Sequence, residues 1–364
     1  MPRVFLGTFR KLGAARLATL AFQTGAQPAD PGRPRPIVDN YFGNVVEDPF
    51  RHLENLEDPA VAAWKLAGAG GSRGPKAAPR AASGHPLRRA LVEWAPYGLR
   101  PGGRRLRRRG SFESLDDYTA TEALVPSYNG AKLPWSIIHR RGLALDGSHP
   151  TLPWGCAAYG DTEAPWFSTW RLAWLEMGGN FAVASPRGSG AFGHAWYRAS
   201  FQRSKPGSWK DFVACAGYLV AQHFTSPARL GSWSGSDGGL LVGRAMTERP
   251  ELFAAVVSSA GLLDTAHIEA GLRALLAMST HHQVRDGTAC PAALFTRGLN
   301  DPRVAVWNIS KTAARLARAS TSSRPVLLRL DADERHGMGD KKAQKLAELT
   351  DTMLFLLCQF GLPA

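Results

Sequence analysis

Ser234-Gly235-Ser236-Asp237-Gly238-Gly239, followed by Leu240-Leu241-Val242-Gly243-Arg244-Ala245-Met246, is the stretch on which the fold turns. A short strand, a Gly/Ser-rich turn and a helical run together lift a serine hydroxyl onto a sharp strand-to-helix bend. Tyr218-Leu219-Val220 reads as the apolar strand leading into it. Such a turn strains the backbone of the exposed serine and leaves no room for neighbouring side chains, hence the small residues. The general form is G-x-S-x-G, with Ser234 standing in for the first glycine. Most Gly/Ser turns are only turns, so this one needs partners in the right order.

Those partners are present. An α/β-hydrolase runs Ser, then Asp or Glu, then His along the chain. Phe295-Thr296-Arg297-Gly298-Leu299-Asn300-Asp301-Pro302-Arg303-Val304 reads as a strand end opening into a loop that carries Asp301. Val326-Leu327-Leu328-Arg329-Leu330 is a further strand, running into Asp331-Ala332-Asp333-Glu334-Arg335-His336-Gly337-Met338-Gly339. Both candidates therefore follow the C-terminal ends of strands, where open α/β sheets place their chemistry. A serine hydroxyl is a poor nucleophile by itself and needs an imidazole base, which in turn needs a carboxylate to fix its tautomer. Asp331 and Asp333 compete with Asp301 for the orienting role. The neighbouring pair His281-His282 lies at a helix end without a glycine-flanked loop and reads as surface.

Several blocks carry a resemblance. Leu145-Asp146-Gly147-Ser148-His149-Pro150-Thr151-Leu152, Arg171 to Glu176, Tyr218 to Leu230, Arg249-Pro250-Glu251-Leu252-Phe253, Asn300 to Val304 and Asp331 to Gly339 occur in the order found in the prolyl oligopeptidase family of serine peptidases. The chain resembles that family's catalytic domain from about residue 113 onward. Tyr41-Phe42-Gly43 through Asp48-Pro49-Phe50-Arg51 to Trp64 is similar to its N-terminal helical segment. The resemblance implies an α/β-hydrolase fold with a mainly parallel central sheet, preceded by a short helical N-terminal segment. It implies Ser236, Asp301 and His336 as catalytic residues and Arg303 as the residue that binds a substrate carbonyl. No cofactor and no metal is implied.

The chain also departs from the family pattern. Between its N-terminal helices and its hydrolase domain the family inserts a β-propeller, which needs several four-stranded blades. Residues 69–110 cannot supply even two, so the propeller is expected to be essentially missing and the chain shortened. The family's oxyanion hole uses the backbone N–H after the nucleophile, here Asp237, and a tyrosine in a strand-end loop. In Trp154-Gly155-Cys156-Ala157-Ala158-Tyr159 the tyrosine's position falls to Cys156, a weaker donor, and Tyr159 takes that of a family phenylalanine. The segment Asp264 to Glu269 is shorter than its family counterpart, which lines the proline pocket.

Composition bounds the rest. The 364 residues, 44% hydrophobic and 20% charged, suit a soluble globular protein of one large domain or two modest ones. Cys156, Cys215, Cys290 and Cys358 show no metal-ligand spacing and read as free thiols of a reducing, cytoplasmic setting. The net charge of +14 is unevenly spread: residues 1–110 hold 19 Lys/Arg against 8 Asp/Glu, whereas 111–364 hold 25 against 22. Arg104-Arg105-Leu106-Arg107-Arg108-Arg109 is a basic cluster without the aromatic platforms of a nucleic-acid binder, and reads as a solvated charge run. Residues 1–33 read as a disordered or weak targeting segment, with secretion or periplasmic export the lesser alternative. No stretch approaches the roughly 20 apolar residues of a membrane span.

The expected organisation is thus 1–33, an N-terminal helical segment 34–68 made of an extended entry and then a helix with Pro59 to Trp64 as its helical part, a Gly/Pro/Arg-rich linker 69–110, and an α/β-hydrolase domain 111–364. Its expected activity is serine endopeptidase cleavage of peptides after proline. A relaxed esterase, a catalytically weak or silent remnant of the same fold, and a polyanion-binding protein using residues 100–109 are the alternatives.

Overall fold

The computed structural model describes residues 32–41, 44–55, 57–66, 76–77, 115–165, 168–266, 272–331, 336 and 342–362. Residues 1–31 and, apart from Lys76 and Ala77, the expected linker with its arginine cluster lie outside these.

Strands β1 (Ile37–Tyr41) and β2 (Asn44–Asp48) form an antiparallel hairpin, followed by a 3-10 turn (Arg51–Glu54) and helix α1 (Pro59–Leu66). After the two-residue β3 (Lys76–Ala77) come β4 (Tyr118–Pro126), β5 (Lys132–Arg140), β6 (Thr151–Trp154), α2 (Thr169–Glu176) and β7 (Asn180–Ala184). Next are α3 (His194–Arg198), α4 (Pro206–Ala221), β8 (Gly231–Gly235), α5 (Asp237–Glu248) and β9 (Ala255–Ser259). The chain ends with α6 (Leu272–Met278), α7 (Thr280–Gln283), β10 (Ala292–Gly298), α8 (Trp307–Ala319), β11 (Val326–Asp331) and α9 (Lys342–Gln359).

The strands make one twisted surface in two hydrogen-bonded runs, β4-β5-β7-β6 and β8-β9-β10-β11-β3. A parallel bridge between Thr151 and Leu230 joins them at β6 and β8. Within these two runs, among the described residues, only β4–β5 and β5–β7 pair antiparallel; the other pairings are parallel. The central strands are covered on both sides and are therefore buried along their whole length, as in Asn180–Ala184 and Ala292–Gly298. On one face α4, α5 and α8 bury Phe212, Leu241, Val242 and Ile309 against Ile137, Ala182 and Phe295. On the other, α2 and α9 bury Trp174, Met353 and Leu356 against Phe181, Val257 and Leu294. This is the α/β-hydrolase fold.

Two expectations are corrected here. Tyr218, Leu219 and Val220 lie in α4, which starts with Pro206 in its first turn, where the missing N–H costs nothing. The strand before the nucleophile turn is Gly231-Ser232-Trp233-Ser234-Gly235. Its small residues hide it from a hydrophobicity reading, yet they are required: a Cβ on Gly231 would come within 2.8 Å of the Phe360 ring. His281 is also not on the surface. It is 1% exposed, and its Nε2 lies 3.1 Å from Asp48 Oδ1.

That contact belongs to a charged cluster fastening the N-terminal segment to the sheet domain. Lys311 of α8, fully buried, binds Asp48 of β2, Glu54 Oε1 at 2.5 Å and Asp264 Oδ2 at 2.7 Å. Beside it Phe50, Leu53, Val61 and Trp64 close over Ala314 of the same helix. Burial disfavours the Lys311 charge, but Asp264, Asp48 and Glu54 outweigh it and raise its pKa. Asp48 is likewise pushed up by burial, yet His281 and Lys311 hold it far below the usual carboxylate range.

Candidate active site

Strand β8 and helix α5 meet at Ser236, whose backbone is held at φ 55° and ψ −123°. A non-glycine residue there is strained by about 1–3 kcal/mol. Three backbone hydrogen bonds grip it: Ser236 N donates to Ser259 O at 2.9 Å, and Gly239 N and Leu262 N donate to Ser236 O at 3.0 and 3.1 Å. The surrounding glycines are needed for close approach. A Cβ on Gly238 would fall 2.0 Å from Ser234 Oγ and 2.9 Å from Gly155 O. Ser234, in place of the motif's first glycine, is buried and donates to Gly155 O at 2.6 Å, tying the nucleophile strand to the loop after β6.

Asp301 follows the end of β10 and His336 the end of β11, and the structure brings both to Ser236. His336 Nδ1 lies 2.6 Å from Asp301 Oδ2, and His336 Nε2 lies 3.1 Å from Ser236 Oγ. The N–H groups of Arg303 and Val304 donate to Asp301 Oδ1 at 2.8 and 3.1 Å. Burial pushes the Asp301 carboxyl up. The Arg303 N–H, His336, the Val304 N–H and the Arg297 charge together outweigh burial and hold it below its ordinary value. Asp301 is therefore a carboxylate at neutral pH and an acceptor for an Nδ1–H. Asp331, its rival for this role, is instead 3.7 Å from Arg329 Nη2; Asp333 lies outside the described residues.

The amide of Asp237, first residue of α5, belongs to the turn whose N–H groups have no acceptor within the helix. Its carboxylate lies 3.3 Å from Lys205 Nζ, which also donates to Ala157 O at 2.8 Å. Lys205, which sequence reasoning missed, thus ties the nucleophile helix to the Cys156 loop; a lone Lys before Pro206 carries no signal of that. Cys156 lies in that loop, half-buried, with no hydrogen bond to Ser236 among the described residues. Burial, then the charges of Asp237 and Glu163, push its thiol up to about 11, so at neutral pH it is an uncharged, weak donor. Tyr159 is 75% exposed. Its phenol is raised by Asp237 first and then by burial, with Arg303 opposing, so both charges act on that ring. A cleft of about 210 Å³ opens beside Asp237, walled by Tyr159, Tyr197, Phe201, Leu262 and Met278. Arg303 is exposed, contributing its N–H to Asp301 and its charge to the Tyr159 side.

With this geometry in view, the matches to known proteins are consistent. The model of the prolyl oligopeptidase family matches residues 165–272 and 266–362, more than half of the chain. The chain belongs to the prolyl oligopeptidase family. It is 29% identical over 266 residues to the prolyl endopeptidase of Elizabethkingia meningoseptica, covering 68% of this chain and 38% of that protein. With an uncharacterized peptidase of Sinorhizobium fredii it shares 34% over 217 residues, 54% of this chain and 30% of that one. A solved prolyl endopeptidase superposes with a TM-score of 0.67 at 34% identity, covering 69% of this chain and 40% of its own. A post-proline cleaving enzyme from Rickettsia typhi gives 0.66 at 25%, covering 72% and 40%. The chain thus spans about two fifths of the length of such family members.

Proposed function

We propose that this chain is a serine peptidase of the family's type that cleaves peptides after proline through Ser236, His336 and Asp301. The observation that carries this reading is His336, bonded on one ring nitrogen to Asp301 and on the other to Ser236. Ser236 Oγ attacks the carbonyl carbon while His336 Nε2 takes its proton; Asp301 fixes the tautomer and stabilises the imidazolium. The Asp237 N–H meets the developing oxyanion, with a weak contribution from the Cys156 loop. His336 returns the proton to the leaving amine, and water then releases the acyl group by the same relay. Arg303 holds a substrate carbonyl. The preference for proline rests on relatives named prolyl endopeptidase.

The test compares the purified protein with Ser236→Ala on a proline-containing chromogenic peptide and a short acyl ester, alongside labelling by a fluorophosphonate. Serine-dependent peptide cleavage supports the proposal. Ester cleavage alone identifies a relaxed esterase, a reading favoured by Cys156, whose neutral thiol is a poor oxyanion donor. Labelling that persists in Ser236→Ala removes Ser236 as the nucleophile. Folded protein that neither turns over nor labels is a silent remnant.

A further inference from the structure

Behind the triad carboxylate stands a second charged group that the mechanism above does not use. Arg297, at the end of β10, has a fully buried side chain, and its Nη2 lies 2.9 Å from Asp301 Oδ2. That oxygen is the one that also faces His336 Nδ1. The arginine contact lacks the alignment of a good hydrogen bond, and neither Nε nor Nη1 finds an acceptor among the described residues. It is therefore chiefly ionic. Burial lowers the Arg297 pKa, and Asp301 is the group that opposes this. A guanidinium is not deprotonated at working pH, so a fully buried one depends on its counter-charge, and that counter-charge is Asp301.

We propose that Arg297 is a positioning residue: it pins the Asp301 carboxylate through Oδ2 and sets how far into acid the triad keeps working. This rests on the triad reading above and deepens it. One carboxylate oxygen serves two cations in turn, Arg297 throughout and His336 when it takes the serine proton. Arg297 helps keep Asp301 ionised, and only an ionised Asp301 accepts the Nδ1–H of His336, so the effect falls on the acid side of the activity profile. Among the described residues, the other charges on the elements packed around this pair have partners elsewhere. On β11, Arg329 lies against Asp331 and Asp351; on α8, Lys311 lies among Asp48, Glu54 and Asp264. On α9, Glu348 accepts from Thr296. Arg303, on the same loop, turns its N–H to Asp301.

The experiment measures kcat/KM against pH for the full chain, Arg297→Met and Arg297→Lys on the ester or peptide that the wild type hydrolyses. In Arg297→Met the acid limb moves to higher pH by about one unit, the size of effect a close opposite charge has on a carboxylate. In Arg297→Lys, which keeps the charge, the limb stays with the wild type. An unshifted limb in folded Arg297→Met overturns the proposal, as does an equal shift in the Lys and Met variants, which marks a packing role. If Arg297→Met does not fold, Arg297→Gln repeats the measurement with neutral polar atoms of similar reach. Ser236→Ala runs beside them. If it is inert and the Arg297→Met limb is unmoved, this inference alone fails; if it retains turnover, the triad reading fails and takes this inference with it.

Discussion

Asp301 carries more than one duty, and its substitution shows them separately. It accepts from two backbone N–H groups, lies 2.6 Å from His336 Nδ1 and balances Arg297. Asp301→Asn is expected to lower kcat by about 10⁴, because the amide favours the wrong imidazole tautomer. It should also destabilise the fold by about 3–5 kcal/mol, since Arg297 is left as an uncompensated buried charge. Chemical denaturation alongside kinetics checks both; loss of activity with unchanged stability contradicts the second. The cysteines give a residue-scale test that needs no substrate. Burial raises the thiols of Cys156, to about 11, and of Cys215 and Cys290, whereas Cys358 is exposed. The thiolate is the nucleophile in alkylation. Iodoacetamide at pH 7.5 should therefore modify Cys358 well before Cys156, as read by peptide mass spectrometry; prior modification of Cys156 would contradict the burial described for it.

At the scale of elements, the nucleophile turn depends on how closely α5 packs against its neighbours. A Cβ on Gly239 would lie 2.4 Å from Gly261 Cα and 2.7 Å from Ser258 Oγ, and the first of these is backbone that cannot swing aside. Gly239→Ala should cost about 1–3 kcal/mol and, by pushing α5 away from the loop after β9, lower kcat while KM changes less. An alanine variant with wild-type stability and kcat would show that this approach is looser than described. Ser234 belongs to the same argument. A glycine in its place would satisfy the usual motif but remove the bond to Gly155 O, so here the departure from the motif supports the turn.

For the molecule as a whole, the Lys311 cluster decides whether the N-terminal segment and the sheet domain behave as one body. Lys311→Met should destabilise by about 3–5 kcal/mol, because Asp48, Glu54 and Asp264 lose the cation they surround. Titration adds a pH signature. Burial lowers the pKa of His281, so below about pH 6.5 the unfolded chain takes up a proton that the native state refuses. Stability is therefore expected to fall as pH drops below about 6.5. A second decline begins near pH 4, where Asp48 and Asp301, depressed in the native state, would be protonated in the unfolded chain. Lys311, raised in the native state, contributes stability that is kept below about pH 10 and lost as pH rises through its folded value. Melting curves from pH 11 down to pH 2 check this. His281→Gln should remove the first decline and leave the second; an unchanged first decline would assign it to another group.

The order Ser236, Asp301, His336 and the glycines around the turn were legible in the sequence, because chain order and small residues survive as local pattern. So were the strand end at Phe295 to Gly298 and the strand Val326 to Leu330. The strand Gly231–Gly235 was not legible: its burial comes from close approach of neighbours, which leaves small residues rather than apolar ones, whereas Tyr218–Val220 of a helix carries the more apolar pattern. His281 looked like surface for a related reason, since its partner Asp48 lies 233 residues away. The same holds for Arg297 behind Asp301, for Lys205 across from Asp237, and for Lys311 among three carboxylates. Charge compensation acts through space over a few ångströms and is indifferent to position along the chain. Sequence pattern therefore determined the fold class and the identity of the candidate triad, while only the tertiary structure decided which charges are buried, what neutralises them, and how the triad carboxylate is held.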